Sequence, residues 1–547
     1  MYKVSKSKGK SKQNTSKVLG GAFILLVAGI ICKLLGAFYR VPLSNILGSE
    51  GIGVYQLIFP VYSLILIISS GGIPVALSKI VAECRARGET ERAKRFLLIS
   101  FLMLFILSGI FSIVFVFFNE YIATIQGNSS ASLGYIAVSI ALVFASLLTA
   151  FRGYFQGYQI MYPTAISQII EQVVKLVLGL ILAGLFANRG IAYGVLGALL
   201  GIAISEVLSL IYLLITYFVK KIKIDLIEPE IKYGFWHDFW LLIKRSFPIT
   251  LNSLILPLIL AIDSFLVINL LLSSGYTSAQ STSLFGVYSG MVNSLINFPT
   301  VAALAISVAI LPAIAYQNEK GEKITSSVST CLKIILVISV PCILVYILFS
   351  KNIMSILYPH ATDVETLKIA SYLLKMSAIN ILTISFLQVS TAIMQASGKS
   401  FVPLINLAFA GAIKIILTIY LVASPMNIYG AAVASIMCYI LSSGLNLISL
   451  KGHIPFEVNA KRVASIFLAS GIAISIMIGI YNLLKLITSA NLSFIFAGVA
   501  AVLIYAFSLI ILPIFTSDEL KYIPYGDKLS LLRLKFRIKS LDDEVLK

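Results

Sequence analysis

Charged residues are scarce in this sequence, and acidic ones scarcer still. Only 12% of its 547 residues are charged, with 23 acidic against 42 basic side chains. That dearth excludes an ordinary soluble domain, in which about a quarter of residues are charged. Histidine is nearly absent, and His237, His360 and His453 stand apart in expected loops. The five cysteines (Cys32, Cys84, Cys331, Cys342 and Cys438) are scattered without a CxxC pair. A metal centre or disulfide framework therefore has nothing to stand on, and no cofactor is expected.

A phosphate-binding loop is missing too. Ser397 to Ser400 read SGKS, but Ile393 occupies the place of the first glycine of G-x-x-x-x-G-K-S, and no strand precedes it. The stretch reads as a tight turn between two helices, so ATP is not expected as a partner. The outer loops, the longest near 119–133 and 351–369, are too short for a membrane-embedded glycosyltransferase or polymerase. No nucleophile–base pair is present, so an enzyme is not expected.

What fills the chain is apolar: 59% of residues, in repeated runs near the length that crosses a bilayer. The pattern predicts an all-α polytopic membrane protein with about 14 transmembrane helices. They are expected near 18–38, 53–79, 96–118, 134–157, 163–187, 192–219, 246–272, 284–316, 329–350, 370–396, 401–423, 427–450, 462–486 and 491–515. No small-residue cleavage site follows the first run, which reads as a retained span.

The net charge of +19 points away from nucleic acid once its distribution is seen. Basic residues crowd the ends and one set of loops: Lys3 to Lys17, Arg85 to Arg95, Lys220 to Lys223 and Arg533 to Lys539. The opposite loops hold only Arg40, Arg189, Lys351, Lys368 and Lys485. By the positive-inside rule both termini are cytoplasmic. The basic, partly apolar end of the chain suits either an anionic membrane surface or plain solvent.

The chain also repeats itself. Gly53-Val54-Tyr55 recurs as Gly286-Val287-Tyr288, Gln156 and Lys175 as Gln395 and Lys414, and Tyr193-Gly194 as Tyr429-Gly430. The offsets of 233, 239 and 236 are nearly constant. Two parallel six-helix repeats plus two extra C-terminal helices follow, related by an axis along the membrane normal. The expected organisation is a basic tail (1–17), an N-lobe (18–219), a linker (220–245), a C-lobe (246–450), a last helix pair (451–515) and a second basic tail (516–547). Gly71, Gly72 and Pro74 in the second span, Pro248 and Pro257 in the seventh, and Pro299 and Pro312 in the eighth mark breaks. Each break either lines a cavity or is a kink packed on a neighbour.

Charges inside the spans are the candidate functional residues. Gly29, Lys33, Gly36 and Arg40 fall on one helix face, so Lys33 either faces a cavity or snorkels outward. Glu171 and Lys175 are four apart and suited to pair. Glu206, Asp263, Lys375 and Lys414 complete the set, with Lys375 near enough to an outer end to snorkel and Lys333 at an inner boundary. The excess of lysine favours an anion, and lysine and arginine suit phosphate and pyrophosphate. Apolar walls suit a lipid tail. Tyr39, Tyr55, Tyr62, Gln156, Tyr158, Gln159 and Tyr162 suit sugar hydroxyls at the mouths.

GGIPVALSKIVAECRARGE (71–89) and FRGYFQGYQIMYPTAISQIIEQVVKL (151–176) resemble the stage V sporulation protein B and polysaccharide-biosynthesis branch of the multidrug/oligosaccharidyl-lipid/polysaccharide exporter superfamily, related to lipid II flippases. The resemblance covers the whole chain. It implies alternating access in a bacterial plasma membrane and export of a lipid-linked saccharide cell-wall precursor. CKLLGAFYR looks like the first-span motif in which flippases place basic residues, here Lys33 and Arg40. Spans two and eight lack the charges that better-known relatives carry there. Lys33, Arg40, Lys175 and Lys414 are thus the expected pyrophosphate site. Asp263, Glu206 and Glu171 are expected to serve as coupling-ion residues for H+ or Na+, or as charge pairs. A monomer is expected. The competing expectation is a cation-coupled multidrug antiporter of the same fold.

Overall fold

A computed structural model describes residues 3–219, 234–319, 325–361, 363–454, 459–512 and 514. Most of the expected 220–245 linker and the 516–547 tail lie outside the described residues. Every regular element among them is helical: α1 (Lys3–Ser70), α2 (Ile73–Arg87), α3 (Thr90–Phe117), α4 (Asn119–Ile125), α5 (Ser132–Gly157), α6 (Met161–Ala187), α7 (Ile191–Val219) and α8 (Phe235–Ser273). There follow α9 (Ser278–Phe285), α10 (Asn293–Glu319), α11 (Thr325–Leu357), α12 (Val364–Ser377), α13 (Asn380–Ala396), α14 (Phe401–Val422), α15 (Ile428–His453), α16 (Ala460–Leu484) and α17 (Ala490–Ile511). A π-helical stretch, Gly286–Val292, joins α9 to α10.

Twelve helices among the described residues are long and apolar enough to cross a membrane, and the bent pair α12–α13 makes thirteen. Two expected spans, 18–38 and 53–79, are fused in α1, which is interrupted at Gly48 (φ 72°, ψ 179°). The expected loop between them is mostly helical. The second span breaks as anticipated, since α1 ends at Ser70 and α2 restarts with Pro74 in its first turn, where a missing N–H costs nothing. The expected tenth span opens earlier, at Val364, and bends by 44° between α12 and α13. Neither glycine nor proline lies at that bend to announce it.

The helices gather into two compact units, Met1–Met291 with Thr418–Ile428 and Val292–Leu417 with Tyr429–Lys547. In the first, small residues set the packing. A Cβ on Gly153 would lie 2.6 Å from the Pro74 carbonyl oxygen, and one on Gly157 would lie 2.8 Å from that of Ser78. These two glycines, four apart, let α5 press against α2. In lipid no hydrophobic drive pulls helices together, so close backbone approach of this kind carries the packing. Gly179, Gly197 and Gly201 bring α6 and α7 together in the same way. The amide of Gly72, freed by the break, donates to Thr250 Oγ1 of α8 at 3.0 Å. A Cβ there would sit 2.1 Å from the Ser246 carbonyl oxygen. This break is a kink packed on its neighbour.

At one end of the same unit α8 is held by charge. Asp238 is fully buried and accepts from Arg92 Nη2 at 2.8 Å and from both Nε and Nη2 of Arg95. Arg92 also donates to Glu89 at 2.9 Å, and Arg245 Nη1 reaches Glu83 Oε1 at 2.6 Å. Asp238, Leu242 and Ser246 form the buried face of this helix start, while Trp236 and Trp240 are exposed on the other.

The second unit is centred on Val328, Leu332 and Ile335 of α11, Val389 and Ile393 of α13, and Leu450 of α15. Asn446 of α15 donates to Ser390 Oγ (3.3 Å) and Thr391 Oγ1 (3.1 Å) of α13 and accepts from Asn406 of α14 (2.9 Å). The SGKS stretch closes α13: Gly398 is left-handed (φ 80°) and the Lys399 amide donates to the Met394 carbonyl at 2.8 Å. It is the expected turn.

Candidate functional site

The charged cluster of the first unit forms where α1 runs along α6. Tyr55, Phe59 and Tyr62 recur at helical spacing on α1. Tyr55 stacks on Phe59 at 5.6 Å, and Phe59 lies 6.1 Å from Tyr62. Two cations share the Phe59 ring, the Arg40 guanidinium at 6.0 Å and the Lys175 ammonium at 5.3 Å. Lys175 also lies 5.5 Å from the Tyr39 ring. Ring faces attract cations by about 0.5–2 kcal/mol, more as water is excluded. Tyr39 is wedged against Gly179, where a Cβ would meet its hydroxyl at 2.7 Å, and that hydroxyl is buried without a hydrogen-bond partner among the described residues.

Glu171 does not pair with Lys175. Its Oε2 accepts from Arg152 Nη2 at 2.8 Å, its Oε1 from Gln172 Nε2 at 2.9 Å, and Arg152 Nε donates to Ser167 Oγ at 2.9 Å. The bidentate reach of a guanidinium from α5 outcompetes the ammonium one turn along α6. Lys175 therefore makes no ion pair among the described residues. Glu206 of α7 is 6% exposed, and its Oε2 is buried without a hydrogen-bond partner among the described residues.

Four candidates (Arg40, Lys175, Glu171 and Glu206) thus fall in one electrostatic neighbourhood, with Arg152 as a member that the spacing of charges along single helices did not reveal. Lys33 lies exposed on α1, without an ion pair or hydrogen bond among the described residues, and Gly29 faces open space. Asp263 is buried in α8 (7% exposed), and Lys414 is buried in α14 of the second unit (3%). Lys333, expected at a boundary, is instead buried in α11. Tyr39, Tyr55, Tyr62 and Tyr158 are core residues rather than mouth residues, because their helix faces turn inward; Tyr162 is exposed.

The polysaccharide biosynthesis protein family matches residues 18–317, and the MatE family matches residues 248–420. Stage V sporulation protein B of Bacillus subtilis (strain 168) is 28% identical over 514 residues, spanning 92% of this chain and 97% of that protein. Lipid II flippase MurJ of the same organism is 26% identical over 493 residues, spanning 85% and 89%. Among solved structures, lipid II flippase MurJ in an inward closed conformation aligns with a TM-score of 0.69 at 17% identity, covering 89% of this chain and 98% of that one. An inward-facing multidrug resistance MATE family transporter aligns at 0.64 and 15% identity, covering 79% and 98%. These structures share the fold, and MurJ is named a flippase and the MATE protein a transporter. The chain belongs to the polysaccharide biosynthesis protein family, in the lipid II flippase-like branch of the multidrug/oligosaccharidyl-lipid/polysaccharide exporter superfamily, and is a multi-pass bacterial membrane protein.

Proposed function

We propose that this chain is a flippase that moves a polyprenyl-pyrophosphate-linked saccharide, lipid II or a related precursor, from the inner to the outer leaflet by alternating access. The observation that carries the reading is the pair of cations, Arg40 and Lys175, held against one aromatic ring. Lys175 makes no direct ion pair among the described residues, which leaves its ammonium open to an anionic group. Lys33 and Lys414 extend the pyrophosphate path. The chain transports and does not catalyse, and it works as a monomer with anionic lipids at its basic ends. We count Ile24–Arg87, the apolar part of α1 together with α2, as two spans, because its 64 residues extend about 96 Å, far beyond a 30 Å hydrocarbon core. That gives fourteen spans with both termini cytoplasmic.

Moving an anion outward across a cytoplasm-negative membrane is downhill by about 2.3 kcal/mol per charge per 100 mV. Glu206, buried without a partner for Oε2 among the described residues, favours a contribution from H+ or Na+ and keeps the multidrug antiporter as the second reading. Asp263 and the Arg152–Glu171 pair flank this role. The deciding experiment is flipping of a fluorescent polyprenyl-pyrophosphate saccharide in proteoliposomes, for wild type beside Lys175→Ala and Lys33→Ala, with the potential on and clamped at zero. Loss of flipping in well-folded variants supports the site. A wild type that flips no such lipid but exports cationic dyes establishes the second reading instead.

A further inference from the structure

We infer that the second unit carries an anion site for a phosphate or diphosphate group, built from Lys351, Lys368 and Lys375. These side chains line one cavity of about 290 Å³ between the end of α11 and the face of α12, the lower bound for small-molecule pockets. Leu367, Lys368, Ser371, Tyr372 and Lys375 form a single stripe on α12, and Lys351 meets it from α11, two residues past the irregular turn at Phe349 (φ −117°, ψ 20°). The volume suits a head group with a ring or short chain against Leu367 and Tyr372, rather than a whole lipid-linked saccharide.

Three lysines, each exposed to solvent, line this cavity. None of the three lysines forms an ion pair or hydrogen bond among the described residues, and no carboxylate lines the cavity. The nearest acids in sequence are otherwise engaged or absent from the wall. Asp363 accepts from the Thr366 amide at 2.8 Å, and Glu365 does not line the cavity. An anion in the cavity would draw the three ammonium groups to it, and their nine N–H donors suit the oxygens of a diphosphate. Two of the three are among the few basic residues in the loops assigned outward; that assignment is the part of the inference that rests on the charge reading of topology. On it, the cavity opens at the outer side of the membrane, where a released lipid diphosphate or a free one is met.

The test is isothermal titration of the purified full-length protein in detergent with inorganic diphosphate, and separately with geranyl diphosphate. Saturable binding is expected, weakened at least tenfold in Lys368→Gln/Lys375→Gln and retained in Lys368→Arg/Lys375→Arg. Lys485→Gln, at an outward lysine that sits over the Tyr481 ring instead, should leave it unchanged. Tighter binding of geranyl diphosphate assigns the site to a lipid, and equal affinity assigns it to a free anion; both support the inference. Absence of saturable binding, equal affinity in the double glutamine variant, or an equal loss in Lys485→Gln overturns it. Loss confined to Lys175→Gln would place diphosphate at the first-unit cluster and overturn it as well. No arm requires transport, so failure of the flippase reading leaves the result readable.

Discussion

Gly53 and Gly286, equivalent positions of the two sequence repeats, meet backbone to backbone. A Cβ on Gly286 would lie 2.6 Å from the Gly53 nitrogen and 2.8 Å from its Cα, while one on Gly53 would lie 2.0 Å from the Thr282 carbonyl oxygen. One turn on, Gln56 Nε2 donates to the backbone oxygen of Ser289, its own repeat mate 233 residues away, at 2.7 Å. The two segments cross here, and only glycine fits so near such a crossing. Gly53→Leu and Gly286→Leu should each destabilise by about 1–3 kcal/mol or more through overpacking. Gly109→Leu, in open space, should be neutral. Thermal unfolding in detergent checks this, and equal melting of all three would refute the crossing.

Asp238 is fully buried under Arg92 and Arg95. Removing one partner of such a cluster leaves charge buried and typically costs about 3–5 kcal/mol. Asp238→Ala should therefore lower the melting temperature strongly. Arg92→Met combined with Asp238→Leu should recover part of the loss. A double variant as unstable as the single would mean that shape, not charge, dominates there.

Arg152 and Glu171 should be energetically coupled, with an interaction energy of about 0.5–3 kcal/mol in a double-mutant cycle of Arg152→Gln and Glu171→Gln. The corresponding cycle with Lys175→Gln should show less coupling to Glu171. The reverse ranking would restore the pairing expected from spacing along α6.

Asp363 caps α12 through the Thr366 amide. Hydrogen bonding to Thr366, through its side chain first and its amide second, holds the carboxyl below the ordinary aspartate value. A depressed folded value means that the cap contributes above the unfolded value and is lost as pH falls through the folded one. Asp363→Ala should cost about 1 kcal/mol at neutral pH and progressively less in acid, whereas Asp363→Asn should change little. Melting temperatures between pH 7 and pH 3 test the sign.

The apolar runs and the glycine break before Pro74 were legible because each is written in local spacing. The contacts that build the candidate site were not. Glu171 and Lys175 satisfy the i, i+4 rule, yet the carboxylate turns to α5. The clue lay in the hairpin geometry: Arg152 and Ser167 are equidistant from the turn at Gln159 and Ile160, so antiparallel helices bring them level, and Glu171 is one turn farther. The tyrosines near the helix ends were misplaced for a related reason, since sequence gives depth along a span but not which side faces inward. The bend between α12 and α13 carries no sequence mark at all.

The two tryptophans of the whole chain, Trp236 and Trp240, sit one turn apart on the exposed face of the helix start that Asp238 anchors. The protein's intrinsic tryptophan emission therefore comes from this one place. Any quencher carried at a chosen depth in the bilayer, or any ligand that loosens the arginine clamp, will report on that single helix end in the unmodified protein, without a label and without a background to subtract.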